Sequence, residues 1–182
     1  VFLRFVGVRR PECDRIIRES LPDQVEFQDF NDVWREKISA TLRRDIPLKA
    51  GALQLFQILA SKGHLMGVAT STETEVARSH LEKTGLLSFL GGVVGGDLVQ
   101  QGKPNPEVYH KIAKHLGVNA ADCVAFEDSE TGTRAAVASG ARTIQIPDLI
   151  PPSAEMLEFG HVIAPSLLEG ALKVDLIQTS DI

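Results

Sequence analysis

Cys123-Val124-Ala125-Phe126-Glu127-Asp128-Ser129-Glu130-Thr131-Gly132 decides how this chain is read. Its apolar part is continuous instead of alternating, the pattern of a strand buried on both faces of a parallel sheet. Two carboxylates follow at once, and a helical pattern runs from Glu130 to Ser139 and is ended by Gly140. A buried strand turning straight into a helix is the repeating unit of doubly wound α/β folds, whose ligands sit beyond the carboxyl ends of the strands. The polar residues at such ends are therefore the ones to inspect.

Working outward, the same alternation recurs. Ala50 to Ser61 reads as a helix, Leu65 to Ala69 as a strand, Glu73 to Lys83 as a helix ended by Gly85, and Val93-Val94 as the centre of a short strand between glycine pairs. Pro106 to Leu116 is a helix ended by Gly117. Thr143 to Ile146 and His161 to Ala164 are further strands, and Leu167 to Leu172 is a last short helix. Before Ile46-Pro47 the pattern is helical: Glu12 to Ser20 behind Pro11, then Asp29 to Arg44 with Phe30, Val33, Trp34, Ile38 and Leu42 on one stripe. The sequence thus divides into a helical segment, 1–46, and an α/β unit, 47–182.

Three strand ends carry candidate chemistry. After Gly67-Val68-Ala69 come Thr70, Ser71 and Thr72, hydroxyls leading into a helix N-terminus, where free N–H groups and the helix dipole suit a phosphate; taken alone, helix capping by Ser71 or Thr72 is the commoner explanation. Gly102-Lys103-Pro104-Asn105-Pro106 follows the second strand, and its two prolines fix the backbone that carries Lys103. Glu127 and Asp128 end the third; one can bind a cation while the other orients the ligand, and oxygen-only ligation of this kind suits Mg²⁺. Capping by Asp128 or Ser129 is the structural alternative.

In this order, the three ends resemble the second, third and fourth motifs of the haloacid dehalogenase superfamily, in its phosphoglycolate phosphatase and β-phosphoglucomutase branch. The resemblance runs from Val1 to Ile146 and implies a Rossmann-like core with a small helical cap. It implies that Thr70 and the Ser71 backbone bind the phosphoryl group, Lys103 neutralises its charge, and Asp128 ligates Mg²⁺ with Glu127 in support. The helical segment corresponds to the family's mobile cap, which excludes water from the site. Arg9 and Arg10 fall where relatives place a cap loop, so they are candidates to read a remote anion of the substrate.

One motif is not present. Family members open with a strand ending Asp-x-Asp-x-Thr, whose first aspartate is the nucleophile and whose second is the acid and base. No Asp-x-Asp occurs in these 182 residues. Cap-like sequence starts at Val1, so the first core strand is expected upstream of it. In relatives that strand lies between those ending here at Thr70 and Glu127, which leaves a slot roughly 9.6 Å wide with unpaired backbone on both sides. The expectation is an intact phosphatase working through an aspartyl-phosphate, with the 182 residues alone inactive and poorly folded. A phosphomutase of the β-phosphoglucomutase type is the rival within the same chemistry, and a catalytically dead binding or regulatory module the rival outside it. Phosphonatase chemistry needs a cap lysine, and the cap offers only Lys37, inside a helix. Dehalogenation of 2-haloacids would leave Glu127-Asp128 without a purpose.

Composition and charge point to a small soluble substrate, which the resemblance makes a phosphorylated metabolite. The 182 residues are 43% hydrophobic, enough for a substantial core, and the net charge of −5 draws the protein neither to nucleic acid nor to anionic lipid. No apolar stretch approaches the roughly 20 residues of a membrane span. Two cysteines, Cys13 and Cys123, read as free thiols in a reducing, cytoplasmic setting.

Overall fold

The apolar run at 124–127 forms a strand, β3 (Val124–Glu127), in the computed structural model, which describes Gly7, residues 10–44 and residues 46–182. β3 pairs in parallel with β4 (Arg142–Gln145), and β4 with β5 (Val162–Ile163). A second parallel sheet joins β1 (Gly67–Ala69) to β2 (Gly92–Val94). The core helices are α3 (Ala52–Ser61), α4 (Thr74–Lys83), α5 (Glu107–His115), α6 (Glu130–Ala138), α7 (Ala154–Leu157) and α8 (Leu167–Lys173), preceded by α1 (Arg10–Ser20) and α2 (Phe27–Arg44). Gly85, Gly117 and Gly140 end their helices at φ of 73°, 73° and 86°, the left-handed conformation that glycine adopts without strain. The fold is α/β with parallel sheets between helices, as the continuous apolar strands require.

β3 shows why its sequence does not alternate. Ala125 faces Ala136, Ala141 and Tyr109, on the side of α5 and α6, whereas Phe126 packs with Leu55, Leu59 and Ala171, on the side of α3 and α8. Successive side chains of a strand point to opposite faces, so both must be apolar when both faces are covered. Ile144 and Ile146 are essentially inaccessible in the neighbouring cluster, and each such side chain contributes ~1.5–3 kcal/mol when removed from water.

The parallel strands form two separate sheets, split between β1 and β3. Thr70 N–H donates to the Val94 carbonyl at 3.0 Å and Gly91 N–H to that of Met66 at 2.8 Å, so even-numbered residues of β1 face β2. Backbone groups alternate sides along a parallel strand, which turns those of Gly67 and Ala69 the other way. Likewise the Cys123 and Glu127 carbonyls accept from Arg142 and Ile146 at 3.0 and 2.7 Å, which turns Val124 and Phe126 away from β4. Among the described residues no strand pairs with either edge. Burial follows the split: β2 is buried throughout and β4 over Thr143–Gln145, while Gly67 is exposed and Val68, Ala69, Val124 and Phe126 are only half-buried.

The helical segment departs from its expected packing. α1 buries Ile16 and Ile17, but on α2 Val33 is 54% and Ile38 39% exposed, so the predicted stripe is covered only in part. Phe30 and Trp34 stack on each other with ring centroids 6.0 Å apart, and the buried residue of that turn is Asn31. Periodicity marks a face without saying what covers it. Leu65, read as part of the first strand, lies outside β1 and is 67% exposed. α7 is a four-residue helix that follows Pro151-Pro152, too short to leave a periodic pattern; Ser153 caps it by accepting from Met156 N–H.

Candidate active site

Thr70 and Ser71 follow β1, and Thr70 Oγ1 accepts from Thr72 N–H at 3.1 Å, closing a tight hydroxyl turn. Neither Ser71 nor Thr72 caps α4. Asp97 does so from across the sheet, its Oδ1 accepting at 2.7 Å from both Thr74 N–H and Thr74 Oγ1. Burial pushes the Asp97 carboxyl up, but the Thr74 donors outweigh it and hold it below the usual range. The capping alternative for those two hydroxyls is thereby excluded, leaving them at the end of β1 without a helix-terminus duty.

Lys103 reaches the same place from the loop before α5. A cis peptide joins it to Pro104, Asn105 N–H donates to Gly102 carbonyl, and Asn105 Oδ1 accepts from Glu107 N–H at 3.0 Å, fixing the turn. The ammonium donates to the Ala69 carbonyl at 3.1 Å and forms an ion pair with Glu127 Oε1, and both side chains of the pair are only 7% exposed. Lys103 therefore spans the split, from the last residue of β1 to the last residue of β3.

The two adjacent carboxylates are used differently. Glu127 points inward: Oε1 takes Lys103 and the Tyr109 hydroxyl, and its carboxylate lies against the α-carbon of Gly132, where a Cβ would collide with it. Asp128 is exposed at the tip and has no hydrogen-bond or ion-pair partner among the described residues. Ser129 caps α6, its hydroxyl accepting from Gly132 N–H at 3.1 Å. Asp128, Ser129, Glu130 and Thr131 line an open cavity of about 290 Å³ with Leu149 and Ile150. Thr131 Oγ1 is buried there without a hydrogen-bond partner among the described residues.

Gly7 lies between the ends of β1 and β3. Its carbonyl accepts from Ser71 Oγ at 3.0 Å, and a side chain on it would strike the Ser129 and Thr131 hydroxyls. With φ of 78°, the position suits glycine on conformational grounds too. Arg10 is committed inside the helical segment, its Nε donating to Asp14 Oδ1 at 2.7 Å and its Nη2 to Asn31. Arg9, the other candidate to read a remote anion, lies outside the described residues. Tyr109 is the site residue that sequence reasoning missed: it sits on the apolar stripe of α5 and reads as core until its hydroxyl is followed to Glu127.

The haloacid dehalogenase-like hydrolase family model matches residues 4–146, from ahead of α1 through the end of β4. The chain belongs to that family. A Bacillus subtilis protein provisionally named a phosphatase, YhcW, is 25% identical over 166 residues, covering 91% of this chain and 75% of its own. The phosphorylated carbohydrates phosphatase of Thermotoga maritima is 29% identical over 141 residues, and the match spans 78% of this chain and 65% of that protein. Among solved structures, a Thermotoga maritima protein provisionally called a β-phosphoglucomutase superposes with a TM-score of 0.78 at 25% identity, covering 97% of this chain and 82% of its own. In this haloacid dehalogenase-like chain, the ends of β1 and β3 and the Lys103 loop come together at one end of the sheets.

No helix among the described residues is long and apolar enough to cross a membrane. Both cysteines are free thiols.

Proposed function

We propose that these residues form the phosphate- and cation-binding half of a Mg²⁺-dependent phosphatase for a small phosphorylated metabolite. The observation that carries the reading is Lys103, held across the split with its ammonium between Ala69 and Glu127. A buried cation fixed at the end of β1, where Thr70 and Ser71 follow, is suited to the charge of a transferring phosphoryl group. Thr70 and the Ser71 backbone donate to that group, and α1 with α2 serves as the cap, residues 1–46, that excludes water.

The residues present fit Mg²⁺ in one form. Among the described residues no three acidic, His or Cys side chains gather into a cage. Asp128 is a single exposed carboxylate without a partner there, and Mg²⁺ is commonly held by one or two carboxylates plus substrate oxygens and water. Asp128 would hold the ion, which supplies neutralisation of the phosphate oxygens; Glu127 instead holds Lys103.

An aspartyl-phosphate requires an aspartate that these 182 residues do not offer as Asp-x-Asp, so the chain alone is inactive on this reading. The test compares the 182-residue chain with one extended by a strand ending in Asp-x-Asp, assayed on a panel of sugar and short-chain phosphates with Mg²⁺. Turnover by the unextended chain contradicts the mechanism. Transfer to a sugar phosphate in preference to water would make it a phosphomutase, a reading favoured by the structural likeness to the Thermotoga maritima protein. An extended chain that binds phosphate without turnover would be a binding module.

A further inference from the structure

We infer that Tyr109 is a positioning residue that fixes Lys103: its hydroxyl and the Lys103 ammonium share one oxygen of Glu127, locking the carboxylate and hence the amine.

Tyr109 stands on α5 where both halves of the split sheet come within reach. Its ring packs against the cluster of Val94, Val99, Val108 and Ile112 on the β2 side and against Ala125, Ala136 and Ala141 on the β3 side. Phenylalanine would serve that packing as well, so the hydroxyl needs its own explanation. It donates to Glu127 Oε1, the oxygen that also takes Lys103, while the Lys103 ammonium lies 5.2 Å from the centre of the Tyr109 ring. Burial, and then the charge of Glu127, push the Tyr109 hydroxyl well above its ordinary range, so it stays protonated and donates. The carboxylate has little room to turn, because Gly132 closes its other side.

A lysine has a flexible four-carbon stem whose immobilisation is entropically unfavourable. Here the Ala69 carbonyl takes one ammonium proton and Glu127 another. Without the Tyr109 donor, Glu127 Oε1 keeps one partner, and the carboxylate loses one of the two donors that orient it at the split. The amine it holds is then less firmly fixed.

The test is Tyr109→Phe, read first by the ¹⁵N-detected signal of the Lys103 ammonium, assigned by its disappearance in Lys103→Met. Expected is a slowly exchanging ammonium in the unaltered chain, lost or broadened in Tyr109→Phe, and recovered when position 109 carries para-aminophenylalanine, which restores a donor at the same place. An ammonium equally protected in Tyr109→Phe overturns the inference. The second reading rests on the proposed phosphate site: inorganic phosphate with Mg²⁺ should bind about tenfold more weakly to Tyr109→Phe, the size expected for losing a hydrogen bond to a charged group. Undiminished phosphate affinity in Tyr109→Phe, with affinity lost in Lys103→Met, also overturns it. Should the unaltered chain bind no phosphate, the functional reading falls, and the ammonium signal alone decides the role of Tyr109.

Discussion

The Lys103 ammonium donates to the main-chain carbonyl of Ala69 at 3.1 Å, so a side chain satisfies an acceptor that a neighbouring strand satisfies in an unbroken sheet. Its partner Glu127 is as buried as it is. Lys103→Met would strand that carboxylate, and breaking a buried pair from one side costs ~3–5 kcal/mol. Urea unfolding should show a loss of that order. Adding Glu127→Gln to Lys103→Met should return most of the stability and none of the phosphate affinity; a double variant as unstable as the single one refutes the account.

Gly132 tests the same carboxylate from its other side. In Gly132→Ala the new methyl meets a group that is tethered by two donors and cannot swing freely. Overpacking of a buried site costs ~1–3 kcal/mol. The variant should unfold at lower denaturant and release the Lys103 ammonium to solvent exchange. A neutral Gly132→Ala would mean that Glu127 has room to move.

Asp128 should behave in the opposite way. It is exposed and unpartnered among the described residues, so Asp128→Asn should leave stability within about 0.5 kcal/mol. Millimolar Mg²⁺ should raise the melting temperature of the unaltered chain by binding its folded form, and that rise should vanish in Asp128→Asn. An equal Mg²⁺ response in both would place the ion elsewhere.

Glu107 supplies a pH dependence remote from the site. The Gln101 N–H, the Lys111 ammonium and the Gln100 N–H hold its carboxyl down from the ordinary 4.5 to about 2. Because the folded value is the lower one, its stabilisation is complete above about 4.5 and is lost as pH falls from there toward 2. Melting temperatures recorded from about pH 6 to about 2.5 should fall more steeply in the unaltered chain than in Glu107→Gln. Parallel curves would show that these hydrogen bonds do not persist in solution.

The features legible in the sequence are those set by local rules. Val124-Ala125-Phe126 reads as a strand covered on both faces, and Gly85, Gly117 and Gly140 mark where helices stop because few other residues adopt their φ. The strand ends at Thr70 and Glu127 follow from the same reading. What was hidden depends on approach through space. Asp97 caps a helix that begins 23 residues earlier, and no spacing rule announces such a partner. The hydroxyl of Tyr109 matters because α5 lies over both sheets, and Glu127 diverges from Asp128 because Lys103 and Tyr109 draw it inward. The exposure of Val33 and Ile38 was equally illegible, since a hydrophobic stripe records a preference and not a neighbour.

In most α/β proteins the outermost strands are the first to open and the central ones the last. Here the backbone amides of Gly67, Ala69, Val124 and Phe126 face a seam without a strand partner among the described residues. Deuterium should therefore enter this sheet from its middle and reach Thr143–Gln145 late, with the most labile backbone beside the amine on which the proposed chemistry depends.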